Sequence, residues 1–410
     1  MTADALFERL ELPLSESIAD RVVTLQDAVL VPAKRSRSWR INAGLYRSDG
    51  TPEPLAQGWH YPGNAATKFP EFPAPPFPER PGRFLFLGHY LPQFGHFLLE
   101  TTARLWHLHH SPDAYDGLVL LHGPRVDREK MTGDIQRFMH LCGWEMPPLL
   151  DLREPTRLAE VVVPMQACGA LDLMIAAPEY RTMIHERFAR DVSPEGPEKI
   201  YISRTGFLDS HGSLVEEEKL ERLLQAEGYV PFHPQDHSIE VQVATYKAAK
   251  EIAAVDGSPL HLLAMVLRPH QRVVIFQRRP APEVFLQAHQ LEIFSDGAFV
   301  KIVKAREKGW SPAGIRRAAL SVFGMLDFPE AAETLMQDGF ISSAEAWTET
   351  DRDVQREQLR AIGKALGADM YEVASPRENL SELPLRSHPG RIRLYPNKRW
   401  KKRLAEKNGA

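Results

Sequence analysis

Short apolar runs alternate with helical patterns from about residue 82 to residue 277, and this alternation constrains the fold more than any other feature. The predicted strands lie at 84–89, 117–123, 161–164, 199–204, 229–234, 251–257 and 272–277. The predicted helices lie between them, at 95–110, 128–142, 215–228, 239–250 and 259–267. Alternation of this kind is typical of βαβ units and a parallel sheet, so the sequence predicts an α/β fold.

The alternation stops and restarts at SPEGP (193–197), whose composition is that of a linker. We therefore predict two Rossmann-like halves, covering 83–194 and 195–305. Residues 1–82 precede them, with a strand pair in VVTLQDAVLVP and a proline-rich connector over Pro70–Gly82. Residues 306–410 follow them as a charged, helical extension.

Sheets of this class bind ligands outside the carboxyl ends of their strands. Residues at or directly after the ends of predicted strands are therefore candidate site residues. They are His89, Arg204, Asp256, Gly257 and Ser258.

Composition excludes several classes of protein. The 410 residues carry 50 Lys and Arg against 54 Asp and Glu, a formal net charge of −4, which argues against bulk nucleic-acid binding. The two cysteines, Cys142 and Cys168, provide no disulfide framework. The acidic N-terminus does not resemble a secretory signal, and no run approaches the roughly 18 apolar residues of a spanning helix. We therefore expect a globular protein of the cytoplasm.

The chain ends in the basic stretch RIRLYPNKRWKKRLAEKNGA (391–410). A solvated tail is the plainer interpretation. The alternative is attraction to an anionic membrane surface or to a polyanionic glycan, which would make the protein peripheral to the inner face of the membrane. The sequence leaves the oligomeric state open.

Several familiar motifs are missing. The sequence contains no GxGxxG fingerprint, Walker A loop, HExxH or GxSxG. A DxD element, typical of a metal-bound nucleotide, occurs only at Asp351–Asp353, where a solvated helix face explains it better. We therefore expect no metal and no resident cofactor.

The stretch FGHFLLETTARLW (94–106) places His96, Glu100 and Arg104 at four-residue steps along one strip of a predicted helix. A histidine, with an ordinary pKa near ~6.5, can act as a general base at neutral pH. Glu100 can orient that imidazole, with Arg104 as the helical partner of Glu100. The alternative is that His96 only caps the helix.

Arg204 and the Gly257-Ser258 turn are the candidate phosphate-binding elements of the second half. An arginine at a strand end can make bidentate bonds to phosphate, although an ion pair with the acidic helix at 216–221 is an alternative. Gly257 and Ser258 precede a helix, and backbone amides at a helix start attract phosphate.

Three further side chains lie close to this segment in sequence, and each has two interpretations. His261 either contacts a nucleotide or packs in the core. Gln242 either reads a nucleotide or caps its helix. Asp256 is better placed for a ribose or for a structural bond than for a diphosphate, since two anions repel each other.

The segment that contains His96 and the segment from Arg204 to His261 resemble glycosyltransferase family 61. That family includes bacterial capsular-polysaccharide enzymes, plant xylan-decorating transferases and animal protein-linked N-acetylglucosaminyltransferases. The resemblance extends from about residue 85 to residue 275. It is carried by GHFLLE (95–100), YISR (201–204), Glu216–Glu217 at a helix start, Gln242, and the turn VDGSPLHLL (255–263). Two departures are visible: Asp256 stands where many members have histidine, and no second arginine follows Arg204 within TGFLDSHGS.

The resemblance implies two facing Rossmann-like domains, the arrangement called GT-B. It also implies inverting transfer of a hexose or pentose from a nucleotide sugar, with UDP favoured, to a glycan such as a capsular or other surface polysaccharide. His96 would be the base, Glu100 would orient it or contact a sugar hydroxyl, and Arg204 would hold the diphosphate. Gln242, Asp256, Gly257, Ser258 and His261 would complete the donor site.

Two other classes of function stay open from the sequence. The chain is alternatively a non-catalytic glycan- or nucleotide-binding scaffold of a polysaccharide assembly. It is also compatible with a GT-B-like sugar-nucleotide epimerase or hydrolase, whose conversion would need no acceptor.

Overall fold

The computed structural model describes residues 16–34, 40–61, 64–111, 114–206, 212–278, 283–306, 308–313 and 322–374. The strands within them are β1 (Val22–Val31), β2 (Ile41–Asn42), β3 (Gly44–Tyr46), β4 (Trp59–Tyr61), β5 (Asn64–Ala65), β6 (Thr67–Lys68), β7 (Glu79–His89), β8 (Gly117–Leu121), β9 (Thr156–Pro164), β10 (Lys199–Ile202), β11 (Val230–Phe232), β12 (Glu251–Val255), β13 (Arg272–Phe276), β14 (Phe299–Val303), β15 (Lys308–Pro312) and β16 (Met370–Ala374).

The α-helices are α1 (Phe94–His96), α2 (Trp106–His110), α3 (Arg128–Leu141), α4 (Pro178–Arg187), α5 (Glu217–Ala226), α6 (Ile239–Ala248), α7 (Pro259–Val266), α8 (Glu283–Phe294), α9 (Phe328–Gln337) and α10 (Arg352–Leu366). A π-helical segment, Phe97–Thr101, follows α1 directly. Short 3-10 turns occur at Pro54–Ala56, Leu171–Ile175 and Pro234–Asp236. Each strand predicted between residues 84 and 277 is confirmed.

Of the two large sheets, the one that the later strands form, here called the second sheet, is parallel throughout. Its order is β11-β10-β12-β13-β14. Counted from its first strand, that order is 2-1-3-4-5, which is one of the two common doubly wound orders. The strand order reverses between β10 and β12, and ligands bind outside the carboxyl ends of the strands at such a switch point. The predicted parallel βαβ pattern of residues 199–277 is therefore confirmed.

Alternate residues of the second sheet face two separate cores, because side chains alternate across a strand. Ile200, Ile202 and Ile252 pack in one core with α6, α7 and α8. Tyr201 and Ala253 pack in the other, with α5 and α9. Helices thus cover both faces of the sheet, as a buried parallel sheet requires.

The first sheet is mixed and has the order β3-β1-β9-β7-β8. The strands β7, β8 and β9 run parallel to one another, as predicted, whereas β1 is antiparallel to both β9 and β3. The Rossmann-like architecture expected for the first half, residues 83–194, is therefore not confirmed, since antiparallel strands extend a parallel core of three. The predicted strand pair at 22–32 is wrong: Asp27, with a φ of 52°, interrupts the pairing of β1 with β9 without ending the strand.

The two sheets share one hydrophobic core. Leu85 and Leu98 from the first half belong to the same cluster of buried side chains as Ile202 and Leu263 from the second. The division of the chain at residues 194 and 195 stays a prediction.

The extension from residue 306, which was expected to be helical, contains both helices and strands within its described residues. The strands β15 and β16 pair in antiparallel fashion, and α9 packs on the second sheet through Phe328 and Leu335. The helix inferred around Asp351–Asp353 is present as α10, where Asp351 accepts a bond from the Asp353 amide at 2.8 Å and caps the helix. The basic stretch 391–410 lies outside the described residues. In the described ranges, no helix has the length and apolar character that crossing a bilayer requires.

Candidate active site

The segment 94–110 is not the regular helix that its spacing predicts. After the single turn of α1, the chain enters the π-helical segment, in which the Thr102 amide donates to the Phe97 carbonyl at 3.3 Å. Segments of this kind are rare and are frequent at functional sites. Glu100 lies within it and has no exposed surface.

Three imidazoles surround the Glu100 carboxylate. His96 Nδ1 lies 2.5 Å from Oε1, and His60 Nδ1 lies 2.6 Å from Oε2. His89 Nε2 lies 3.5 Å from the same Oε2. The three come from different elements, β4, the end of β7 and α1, so only the tertiary fold brings them together.

The charges of this cluster follow from its burial and its hydrogen bonds. Burial alone would raise the pKa of Glu100, but bonds from His60, His89 and His96 outweigh it and hold that pKa well below its ordinary value. Burial lowers the pKa of His89, which favours its neutral form. An ionised carboxylate only accepts hydrogen bonds, so in the bond between His96 Nδ1 and Glu100 Oε1 the imidazole is the donor.

His96 has the properties of a general base. Its Nδ1–H is bound to a buried carboxylate, which leaves Nε2 with a lone pair, and its side chain is 45% exposed. A carboxylate that fixes one imidazole tautomer and stabilises the imidazolium is the arrangement by which histidine bases are oriented in hydrolases. The plain capping alternative for His96 does not describe this geometry.

Arg104 turns away from Glu100, so the expected helical ion pair is wrong. Its guanidinium is buried and donates to the carbonyls of Leu55 at 2.8 Å, Gln57 at 3.0 Å and Pro164 at 2.9 Å. Burial lowers the pKa of Arg104 to about 9. The residue fastens the N-terminal region onto the first sheet next to the histidine cluster.

Side chains satisfy the backbone groups that the π-helical geometry leaves free. The Leu98 carbonyl accepts bonds from the Thr102 hydroxyl at 2.6 Å and from the Tyr180 hydroxyl at 3.0 Å. The Leu91 amide donates to the Thr101 hydroxyl at 3.0 Å. Because buried backbone groups need partners, these bonds fix the position of Glu100.

The donor atoms of His60, His96 and Glu100 lie within 4.8 Å of one another and are therefore candidate metal ligands. Ligands of a tetrahedral zinc ion, with bonds of about 2.0–2.2 Å, lie roughly 3.3 Å apart. Here each carboxylate oxygen is instead 2.5 or 2.6 Å from an imidazole nitrogen. That is a charge-assisted hydrogen-bond distance, and the cluster fits a hydrogen-bonded network better than a chelate.

Arg204 and Gly257 lie at the switch point of the second sheet, two residues beyond the ends of β10 and β12. A Cβ atom built on Gly257 would lie 3.4 Å from Nη1 of Arg204, so the guanidinium rests against this glycine. Nη2 of Arg204 is 3.5 Å from the Gly212 carbonyl. The structure thus brings together two of the predicted phosphate-binding residues.

Glu217 fixes the backbone at Arg204. Its Oε1 accepts the Arg204 amide at 2.6 Å and the Tyr201 hydroxyl at 3.1 Å, and its Oε2 accepts the Ser213 hydroxyl. Burial raises the pKa of Glu217. The acidic helix therefore holds Arg204 by its main chain, while the side chain runs towards Gly257.

Asp256 has the structural role that was one of its two interpretations. It accepts the Arg278 amide at 2.6 Å and lies 3.4 Å from Arg278 Nε, with both side chains buried. Arg278 also donates from Nη1 to the Gly212 carbonyl at 3.1 Å. Arg204 and Arg278 thus converge on one carbonyl, at the carboxyl ends of the two strands that flank β12.

The start of α7 touches the start of α1. A Cβ atom on Gly95 would lie 3.1 Å from His261 Cδ2 and 3.1 Å from Ser258 Cβ. His261 bonds through Nδ1 to Gln290 Oε1 at 2.7 Å, and burial lowers its pKa to about 4. His96, the residue after Gly95, therefore lies beside the Gly257-Ser258 turn.

Gln242 is engaged elsewhere. Its amide nitrogen donates to the carbonyls of Pro234 at 2.8 Å and His237 at 3.1 Å. This geometry matches the capping interpretation of Gln242, because both bonds tie α6 to the loop that precedes it.

Sequence reasoning missed His60 and Arg278. Arg278 follows β13 by two residues, as Arg204 follows β10, so the strand-end rule that selected Arg204 also selects it. His60 lies in a two-stranded pair without apolar periodicity, and no local signal marks it. His89 was a strand-end candidate, and the structure adds it to the cluster.

The fold and the site describe an α/β protein with an oriented histidine next to the switch point of a doubly wound sheet. Residues 94–274 match the family model described as Glycosyltransferase 61. This match confirms the resemblance to glycosyltransferase family 61 that is seen in the sequence. The matched family implies glycosyltransferase activity in general, with a sugar donor and an acceptor as substrates.

The match begins two residues before His96 and ends within β13. His60, His89 and Arg278 therefore lie outside it. No curated protein matches the chain.

Proposed function

We propose that the protein transfers a sugar, with inversion, from a nucleotide-sugar donor to a hydroxyl group of a glycan acceptor. The observation that carries the proposal is the position of His96. Its Nδ1 is bound to buried Glu100, and it lies beside the turn where Arg204 and Gly257 meet. Displacement at an anomeric carbon needs a base for the acceptor hydroxyl and positive charge for the leaving diphosphate. In this proposal His96 supplies the first and Arg204 the second.

In the proposed reaction, Nε2 of His96 takes the proton of the acceptor hydroxyl as its oxygen attacks the anomeric carbon. The new C–O bond forms while the bond to the diphosphate breaks, and the electron pair of that bond leaves with the diphosphate. A single displacement on the face opposite the leaving group inverts the configuration. Glu100 stabilises the imidazolium that results.

The donor diphosphate is proposed to lie against Arg204 and the start of α7. Arginine and helix N-terminal amides both favour phosphate, so they balance the developing negative charge. This source of positive charge supports a reaction that needs no metal ion. Ser258 and His261 border the same turn and are proposed to contact the donor.

The finer identity of the reaction rests on the family resemblance. We propose a UDP-linked hexose or pentose as donor and a capsular or other surface polysaccharide as acceptor. The two sheets would act as the two halves of a GT-B enzyme, on the cytoplasmic side of the membrane.

Donor binding and product analysis test the proposal. Isothermal titration with UDP, GDP and CMP, each with and without EDTA, should show UDP binding that EDTA leaves unchanged; strict metal dependence would contradict metal-free transfer. Matching nucleotide sugars should be turned over only with an acceptor. His96→Ala should abolish turnover and retain donor binding. Acceptor-independent conversion would instead favour an epimerase or hydrolase, and binding without any turnover would favour a scaffold.

A further inference from the structure

The Glu100 carboxylate is shared by two histidines. Its Oε1 is hydrogen-bonded to His96 Nδ1 at 2.5 Å, and its Oε2 lies 2.6 Å from His60 Nδ1, an ion-pair distance. The His60 side chain is only 11% exposed, against 45% for His96. One imidazole of the pair is therefore buried, and the other is open to a substrate.

We propose that His60 is a positioning residue, which donates from Nδ1 to Glu100 and thereby fixes the carboxylate that holds His96 as the base. This inference rests on the proposed function. His60 itself touches no reacting atom.

The backbone at His60 is built to hold that orientation. The Gln166 side chain accepts the Trp59 amide at 3.0 Å and donates to the Trp59 carbonyl at 2.8 Å. The His60 carbonyl accepts the Ala170 amide at 2.6 Å. These bonds anchor β4 to the loop after β9, so His60 approaches Glu100 from a fixed strand rather than from a free loop.

The environment gives His60 a measurable influence on His96. The titratable groups next to His96 are Glu100 on the π-helical segment, His60 on β4 and His261 on α7, and His89 on β7 contacts the same Glu100. Among them, the Glu100 carboxylate is the anion. A hydrogen bond from His60 draws on the same carboxylate charge and so weakens its hold on the His96 proton. Loss of that bond should therefore raise the pKa of His96.

The test uses three variants of the full chain. His60→Phe keeps a ring of similar size without a donor. His60→Asn places an amide nitrogen near the position of Nδ1 and should restore the bond. His110→Phe, on the exposed end of α2, is the matched control for loss of one histidine.

Imidazole 15N NMR on histidine-labelled protein gives the first readout, and it is independent of activity. In the wild type, we expect Nδ1 of both His60 and His96 to be protonated at neutral pH. We expect the titration of the His96 imidazole to move to higher pH in His60→Phe and to stay at its wild-type position in His60→Asn and His110→Phe. An unprotonated Nδ1 on His60 would overturn the proposal even if the variants fail to fold.

The pH dependence of kcat/KM gives the second readout. The acidic limb should move to higher pH in His60→Phe by the same amount and return in His60→Asn, with donor KM unchanged. A lower kcat without any shift of the limb would indicate a merely structural residue and would overturn the inference. A stoichiometric divalent metal in the purified protein, lost in His60→Phe, would also overturn it. If no transfer is found at all, the NMR result still decides the role of His60, and only the proposed function fails.

Discussion

The two halves of the site are built in opposite ways. On the second sheet, Arg204 and Gly257 follow the ends of regular parallel strands, and the topology alone brings them together at a switch point. Beside the first sheet, His96 and Glu100 lie on an irregular segment, and His60 contacts Glu100 from a distant strand. The proposed phosphate site thus depends on strand order, whereas the proposed base depends on a network of tertiary contacts.

The largest expected effect comes from breaking that network at its centre. Glu100→Gln removes the anion that orients His96, and we expect kcat to fall by about 10²–10⁴-fold, the range of a lost general base. The acidic limb of kcat/KM should move to lower pH, because the imidazolium of His96 loses its counter-charge. Steady-state kinetics across pH measure both changes. Glu218→Gln, on the exposed side of α5, is the control for loss of one charge. Unchanged kcat in Glu100→Gln would remove the basis for an oriented base.

Substitution of Arg204 should change the affinity for the donor rather than the pH dependence of kcat/KM. Arg204→Ala removes a charge-assisted contact with the diphosphate, worth about 1.5–3 kcal/mol, so KM for the donor should rise roughly 10- to 150-fold. Arg204→Lys should recover only part of this, since lysine lacks the bidentate geometry. Calorimetric donor titration checks the result, with the exposed Arg222→Ala on α5 as control. Equal affinities for Arg204→Ala and the control would show that the donor binds elsewhere.

The contact between the halves should show in the pH dependence of stability. His261 is neutral when folded, with its pKa lowered to about 4 by burial, and it titrates near ~6.5 when unfolded. The unfolded state therefore binds more protons between these values, and stability from this group is present above about pH 6.5 and lost as pH falls towards 4. His261→Asn should flatten this decline by about 1–3 kcal/mol. Urea unfolding at a series of pH values measures it, and identical slopes in both proteins would contradict the buried neutral state.

The smallest effect is expected at Gln242, because the structure assigns it bonds to two loop carbonyls. Gln242→Ala should lower the free energy of unfolding by about 1–2 kcal/mol and leave donor KM unchanged. Thermal unfolding and donor titration, with the exposed Gln225→Ala on α5 for comparison, distinguish the two roles. A clear loss of donor affinity at unchanged stability would restore Gln242 to the binding site.

Prediction from sequence succeeded where the pattern is local. The runs at 199–204 and 251–257 are strands because their apolar residues fill two cores from a parallel sheet, and the turn after each carries the expected Arg204 or Gly257. It failed for Arg104, whose four-residue spacing from Glu100 suggested a helical ion pair. A π-helical turn changes which side chains share a face, and the spacing of residues in TTAR does not predict such a turn.

The sequence by itself determined the parallel second sheet, the strand-end candidates and the His96–Glu100 pair, because each depends on spacing within one segment or on the rule for strand ends. Only the tertiary structure decided that the first sheet is mixed, that Asp256 pairs with Arg278, and that His60 lies in the cluster around the Glu100 carboxylate. These features join residues tens of positions apart in sequence. Their cause is the need of buried charges and backbone groups for partners, which the fold supplies and local spacing does not record.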